Sequence, residues 1–351
     1  MNTQSPKIQA WIFPSDKTCD ATSDITDPTR HYDALKPQYY ALQDDGTLQQ
    51  LTSGCNAYSA ANIALVKQHS TQQYVTISGN LPGISVLTSS KALTGTFVNT
   101  MLSFLQSSGF TGVEIDFEDF AQWSPQQYSA YKAFLVILGN ALHSQGYKLM
   151  IDGPAISDAT YQSYYPQWKW EDFNNIPQVD FLTVMAYDQQ NDNGAGTPVA
   201  PLSWISNICQ WMLSKISDRS RIIVGVNSYG YHAKVGSYTV TKDIYQQSTQ
   251  LPGFGTATRD ASSGEMMWTN AGIFYDYSDS TTLQGKLNVV LQSGIQTVSV
   301  WHLGGNQWFP QQIPQPTPQP SPLALTADQI KAIYSVLTPD QIKSIKGAIG
   351  S

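Results

Sequence analysis

Glu114, Asp116 and Glu118 are spaced by two, and Val113, Ile115 and Phe117 fill the gaps. In an extended strand side chains alternate between faces, so this segment turns three carboxylates one way and three apolar groups the other. Carboxylates a few ångströms apart repel one another, and at least one must keep its proton above the ordinary range. A carboxylic acid still protonated near neutral pH can hand that proton to a leaving group. A calcium loop would place Gly or Asn between its oxygen ligands, whereas the intervening residues here are bulky and β-prone. A solvated edge strand would carry lysine or mixed charge, and this one has neither.

The elements that must position these groups follow a repeating pattern. Eight β-prone runs occur at residues 7–13, 38–43, 73–78, 111–118, 147–152, 179–187, 221–227 and 295–302. Helix-like stretches with apolar residues at three- and four-residue spacing lie between most of them, at 57–68, 96–108, 126–145, 202–216 and 281–293. Eight strands alternating with helices predict a (β/α)8 TIM barrel. A doubly wound sheet would need a glycine-rich phosphate loop after the first strand, and Phe13, Pro14, Ser15 and Asp16 do not form one. Residues 228–280 are too long for a simple connection and predict an insertion between strands seven and eight, on the active face.

The barrel is expected to occupy residues 1–309, followed by a Pro-rich spacer at 310–324 and two short helices at 325–351. Residues 325–333 and 337–345 are near-copies, each opening on a threonine N-cap with glutamine three positions later. The tail supplies either an eighth barrel helix or a docking appendage.

Composition narrows the partners. The 351 residues carry a net charge of −7 with 13% charged residues, so nucleic acid, which needs a basic footprint, is excluded. No apolar run approaches a membrane span, so no membrane association is expected. Nineteen Tyr, 12 Phe and 9 Trp on a low-charge chain are compatible with a sugar-binding surface, although aromatics serve cores equally. Cys19 and Cys55 either bridge two loops or stay free with Cys209. The five histidines show no metal spacing. The N-terminus lacks a signal-peptide pattern, which reads either as a protein that stays inside or as a fragment of a longer secreted one.

With these residues in hand, the chain resembles glycoside hydrolase family 18, the chitinases and endo-β-N-acetylglucosaminidases. The family's strand-four pattern, D-G-x-D-x-D-x-E, is matched by Gly112, Asp116 and Glu118, with Thr111 and Glu114 departing from it. Ser78, Gly79 and Asn80 resemble the strand-three S-x-G-G pattern, with Asn80 departing. Met185, Ala186, Tyr187 and Asp188 match M-x-Y-D on strand six. Tyr229 and Gly230 resemble the Tyr-Gly after strand seven, and Trp301 the strand-eight tryptophan.

The resemblance implies substrate-assisted hydrolysis of β-1,4-linked N-acetylglucosamine polymers with retention, the 2-acetamido oxygen acting as nucleophile. Glu118 would be the general acid, Asp116 would orient the acetamide N–H, Tyr187 would donate to its oxygen, and Glu114 would hold or share the proton behind Asp116. Trp301, Met185, Asp188, Tyr229, Ser78 and Trp11 would contact substrate. Trp123, Trp268 and Trp308 could serve as outer platforms or as packing, and His232 could face the cleft or the surface. No metal or other cofactor is implied. The expected partner is chitin or another N-acetylglucosamine-containing glycan, met by a monomer secreted as part of a longer bacterial protein. Alternatives are an endo-β-N-acetylglucosaminidase acting on N-glycan cores and a non-catalytic chitin-binding, lectin-like protein.

Overall fold

The computed structural model describes residues 5–14 and 19–310. The expectations for the tail, a spacer followed by two helices, lie outside the described residues apart from Pro310.

Fourteen strands fall into two sheets. The first contains β1 (Lys7–Ile12), β2 (Ala34–Leu42), β3 (Leu48–Gln50), β4 (Gln72–Gly79), β5 (Gly112–Phe117), β6 (Lys148–Gly153), β7 (Phe181–Met185), β8 (Ile222–Asn227) and β14 (Thr297–Leu303). Eight of these pair in parallel, in the order β1-β14-β8-β7-β6-β5-β4-β2, and β1 pairs again with β2 to close the barrel. The short β3 folds back antiparallel on β2. This is the expected (β/α)8 barrel, with all eight predicted strands present.

Boundaries moved at one consequential place. The second strand was expected at 38–43 and begins at Ala34. Pro37, which gives no ladder N–H, lies in register with Ile12, and the strand runs through it.

The alternation on β5 is realised. Val113, Ile115 and Phe117 join the hydrophobic layer between barrel and helices, while Glu114 and Asp116 lie buried among polar groups. Phe117 packs against Phe134 at 6.0 Å between ring centroids and against Phe97 at 6.4 Å. Burying such a ring stabilises by about 1.5–3 kcal/mol. The helix Pro125–His143 carrying Phe134 starts on a capping box between Ser124 and Gln127. Gly112 has no alternative, since a Cβ there would stand 2.2 Å from the Lys148 carbonyl oxygen.

The second sheet is the insertion between strands seven and eight. It comprises β9 (Gly230–Lys234), β10 (Thr241–Asp243), β11 (Thr258–Arg259), β12 (Met266–Asn270) and β13 (Ile273–Tyr277), in the antiparallel order β10-β9-β13-β12-β11. The chain enters it at Gly230, where a Cβ would meet the Asp276 carbonyl oxygen at 1.9 Å. Its own core stacks Trp268 on Tyr275 at 4.6 Å and 7°.

Where this module meets the barrel, Glu265 and Asp276 of the insertion and Lys286 of the following helix, Ser280–Gln292, are fully buried. Lys286 Nζ donates to Glu265 Oε1 at 2.6 Å and to Asn227 Oδ1 at 2.5 Å. Glu265 also accepts the Val199 and Ala200 N–H groups, so the insertion is latched to the loop after β7. A disulfide joins Cys19 to Cys55, and Cys209 is a free, buried thiol.

Candidate functional site

Glu118 follows the last residue of β5, at the carboxyl end of the barrel where such folds place chemistry. Its backbone is held from both sides: the Glu118 N–H donates to the Gly79 carbonyl at 2.9 Å, and Trp123 Nε1 donates to the Glu118 carbonyl at 2.7 Å. Asp119 then turns the chain with φ +60°, a left-handed conformation that Asp tolerates. The Asp119 carboxylate accepts the Leu81 N–H at 2.9 Å, capping the helix Leu81–Ser89 from outside. Rigid attachment of this kind keeps the Glu118 side chain upright at the barrel mouth.

A cleft of about 210 Å³ opens beside it. Glu118, Met185, Tyr187 and Asp188 line one part; Phe120, Tyr165, Trp204 and Asp192 line the rest. Of the expected catalytic residues, Glu118 and Tyr187 line this hollow. Asp116, two residues earlier on β5, is buried and does not itself line the cleft.

Burial pushes Asp116 well above the usual carboxylate range, and the charges of Glu118 and Glu114 push it further. Glu118 reaches solvent at the cleft, yet the surrounding protein raises it too. Lys242 opposes that rise, and Asp188 and Asp119 add to it. Burial, followed by the carboxylates Asp152 and Asp116, keeps the Tyr187 phenol far above its ordinary value, so it remains a donor. Tyr187 lies over Gly225, where a Cβ would come within 3.1 Å of its ring.

Glu114 departs from its expected role. It accepts three hydrogen bonds, from Lys36 Nζ at 2.5 Å, Thr76 Oγ1 at 2.5 Å and Trp11 Nε1 at 2.7 Å. A carboxylate ringed by three donors is arranged to accept, and it stands beside the buried Asp116 and Asp152. Asp152 on β6 is buried and raised well above its usual range, first by burial and then by Glu114.

Three expected substrate contacts also need correction. Trp11 is 2% exposed, its indole consumed by Glu114 and by the Lys36 ammonium 3.4 Å from its ring centroid. It backs Trp301, edge to face at 5.7 Å, rather than facing the cleft. Tyr229 is buried and donates its hydroxyl to Asp188. Ser78 is half-buried, lies in register with Asp116 and accepts from Gln38 Nε2 at 2.7 Å, and it does not line the cleft.

Trp301 is half-buried on β14 near the mouth, next to Phe13 at 6.0 Å. Asp188 has φ +70° and spends its oxygens on Tyr229, on Gln190 and on Lys242 Nζ, the last at 2.6 Å. Trp123 and Trp268 are packing residues, Trp308 lies against Tyr32 at 5.1 Å, and His232 pairs through Nδ1 with Asp243 at 2.5 Å.

Lys36, Asp152, Asp119 and Lys242 escaped the sequence reading. A carboxylate at the end of the predicted fifth strand could have revealed Asp152. Lys36 fell just outside a strand begun too late, and nothing local marks Lys242. Among the described residues no grouping of His, Cys, Asp or Glu could hold a metal ion.

A closed parallel barrel with an acid pair at the end of its fourth strand, a tyrosine lining the same cleft and an inserted sheet after the seventh strand has the build of a barrel glycosidase. The chain belongs to glycosyl hydrolases family 18, whose sequence model it matches over residues 17–306.

Among its relatives, the uncharacterized glycosylase YvbX of Bacillus subtilis is 26% identical over 226 residues, covering 62% of this chain and 64% of the relative. The matched stretch spans about half to two-thirds of the curated relatives' length. A chitinase from Chromobacterium violaceum superposes with a TM-score of 0.72 at 18% identity, covering 86% of this chain and 96% of that one. The Bacillus cereus spore cortex-lytic enzyme SleL gives 0.70 at 21% identity, covering 88% and 73%. These structural likenesses concern the fold.

Proposed function

We propose that the chain hydrolyses β-1,4-linked N-acetylglucosamine polymers of the chitin type, with retention, using the substrate's acetamide as nucleophile. The observation that carries this reading is a cleft at the barrel mouth lined by both Glu118 and the Tyr187 phenol, with Asp116 buried on β5 two residues before Glu118. Ordinary retaining glycosidases need a second carboxylate about 5–5.5 Å from the acid to act as nucleophile. Asp188, the other carboxylate next to Glu118, already has both oxygens engaged.

The steps follow from the residues. Glu118 donates its proton to the glycosidic oxygen as the bond from that oxygen to the anomeric carbon breaks. The acetamide oxygen forms its bond to the same carbon, closing a ring. Asp116 accepts from the acetamide N–H and offsets its growing positive charge, and Tyr187 donates to the acetamide oxygen and holds it in line. Water, losing a proton to the Glu118 carboxylate, then attacks the carbon and reopens the ring. Two displacements at one carbon preserve its configuration. Trp301 offers a ring for the cleaved sugar, and the glycan is the partner this reading needs. We expect the protein to be secreted and to act as a monomer.

A second substrate, spore-cortex fragments, is favoured by relatives such as the B. subtilis cortical fragment-lytic enzyme, 23% identical over 227 residues. Incubation with a chitin oligomer, a high-mannose glycoprotein and spore-cortex fragments, read by product mass, separates the readings. Cleavage of the chitin oligomer with a β-anomeric product is expected. Cleavage of plain cellulose oligomers, which lack the acetamide, would contradict substrate assistance.

A further inference from the structure

We propose that Lys242 is a positioning residue of the active site: it is the insertion's charged contribution to the barrel's chemistry, acting on Glu118 directly and through its ion pair with Asp188. This rests on Glu118 being the general acid.

The geometry is specific. Strand β10 is only three residues long and pairs through Lys242 with Tyr231 on β9. Its next residue, Asp243, is buried and bound to His232 Nδ1, and the His232 ring stacks on Tyr275 at 5.8 Å and 25°. That anchor fixes β10 to the insertion sheet. Successive strand residues face opposite ways, so Lys242 is left to reach for the barrel.

Its ammonium lies 2.6 Å from Asp188 Oδ2 and 4.9 Å from the Tyr229 ring centroid. No Lys or Arg is among the described residues lining the cleft. Asp188 is the residue after Tyr187, so the clamp also fixes the backbone that presents the phenol.

The groups facing Glu118 are Asp116 from β5, Asp119 from its own turn, Asp188 and Tyr187 after β7, Tyr165 across the cleft, and Lys242 from β10. All except Lys242 are acids. Removing the Lys242 charge leaves Asp188 uncompensated, which disfavours the Glu118 carboxylate. Glu118 must be protonated to act, so the alkaline limb of kcat/KM should move to higher pH. Lys242 is partly exposed, so the shift is discounted for solvent, to ~0.5–1 pH unit.

The test compares wild type, Lys242→Gln, Lys242→Arg, Asp188→Asn and the double variant, by pH profiles of kcat/KM on a chitin oligomer. Lys242→Gln should shift the alkaline limb upward, Asp188→Asn downward, and the double variant should fall between; Lys242→Arg should restore the wild-type profile. A purely structural lysine would lower the rate without moving the limb. An unmoved limb in a folded Lys242→Gln variant overturns the inference. If that variant does not fold, an unmoved limb in Asp188→Asn overturns it equally. An inactive wild type would instead defeat the functional reading, a distinguishable failure.

Discussion

The barrel interior and the insertion contain the same electrostatic device put to different ends. In the barrel, Lys36 and Glu114, both fully buried, pair at 2.5 Å, with Asp116 and Asp152 beside them. At the seam between the insertion and the barrel, Lys286 of the helix Ser280–Gln292 and Glu265, also fully buried, pair at 2.6 Å, with Asp276 beside them. In both, burial raises the extra aspartates well above their ordinary range.

The difference is an exit. Asp116 lies two residues before Glu118, which opens on the cleft. Glu265 is closed off by the Val199 and Ala200 N–H groups, and Asp276 does not line the cleft beside Glu118. A buried acid cluster becomes chemistry where a chain of carboxyls leads its proton to a substrate. Without that route it remains a fastening.

The comparison breaks first, and most severely, at Glu118. Glu118→Gln should reduce turnover of a chitin oligomer by about 10³-fold or more while oligosaccharide binding stays within about tenfold. Calorimetric titration beside a product assay checks both. Asp116→Asn should follow, with a loss of about 10²–10³-fold, because the charge offsetting the acetamide is gone.

The two lysines give the sharpest contrast. Lys36→Met and Lys286→Met should each cost about 3–5 kcal/mol in denaturant unfolding, since each strands a buried carboxylate. Only Lys36→Met should also collapse kcat in the molecules that remain folded. Equal kcat losses in both would erase the distinction drawn here.

The smallest effect concerns pH. Asp276 has a folded-state affinity for its proton above that of the unfolded chain, so its stabilisation is complete below about 3.8 and drains away as pH climbs through the raised value. Asp276→Asn cannot ionise. Its Tm should therefore fall less than that of wild type between mildly acidic and alkaline pH.

The barrel was legible because each of its strands is a short β-prone run separated by helical periodicity. The acid face of β5 was legible because two-residue spacing says which groups share a side. What the spacing could not show was the counter-charge. Lys36 reaches Glu114 from 78 residues away, across the barrel interior. Lys242 reaches Asp188 from 54 residues away, carried by a strand of three residues with no pattern of its own. Trp11 was mistaken for a sugar contact because an aromatic ring on a barrel strand looks the same from sequence whether its N–H faces a ligand or a buried carboxylate.

The pairing of β9 with β13, Asp276 beside Tyr231, has one more implication. The chain goes into the five-stranded sheet and comes out of it on neighbouring strands, roughly 5 Å apart. Excising the whole stretch from Gly230 to Tyr277 would leave two loose ends that a turn of about two to five residues could rejoin. The sheet is in this sense a cassette. It can be transplanted to another barrel or swapped for a different one in a single cut, whereas piecemeal trimming would strip cover from the Trp268–Tyr275 stack.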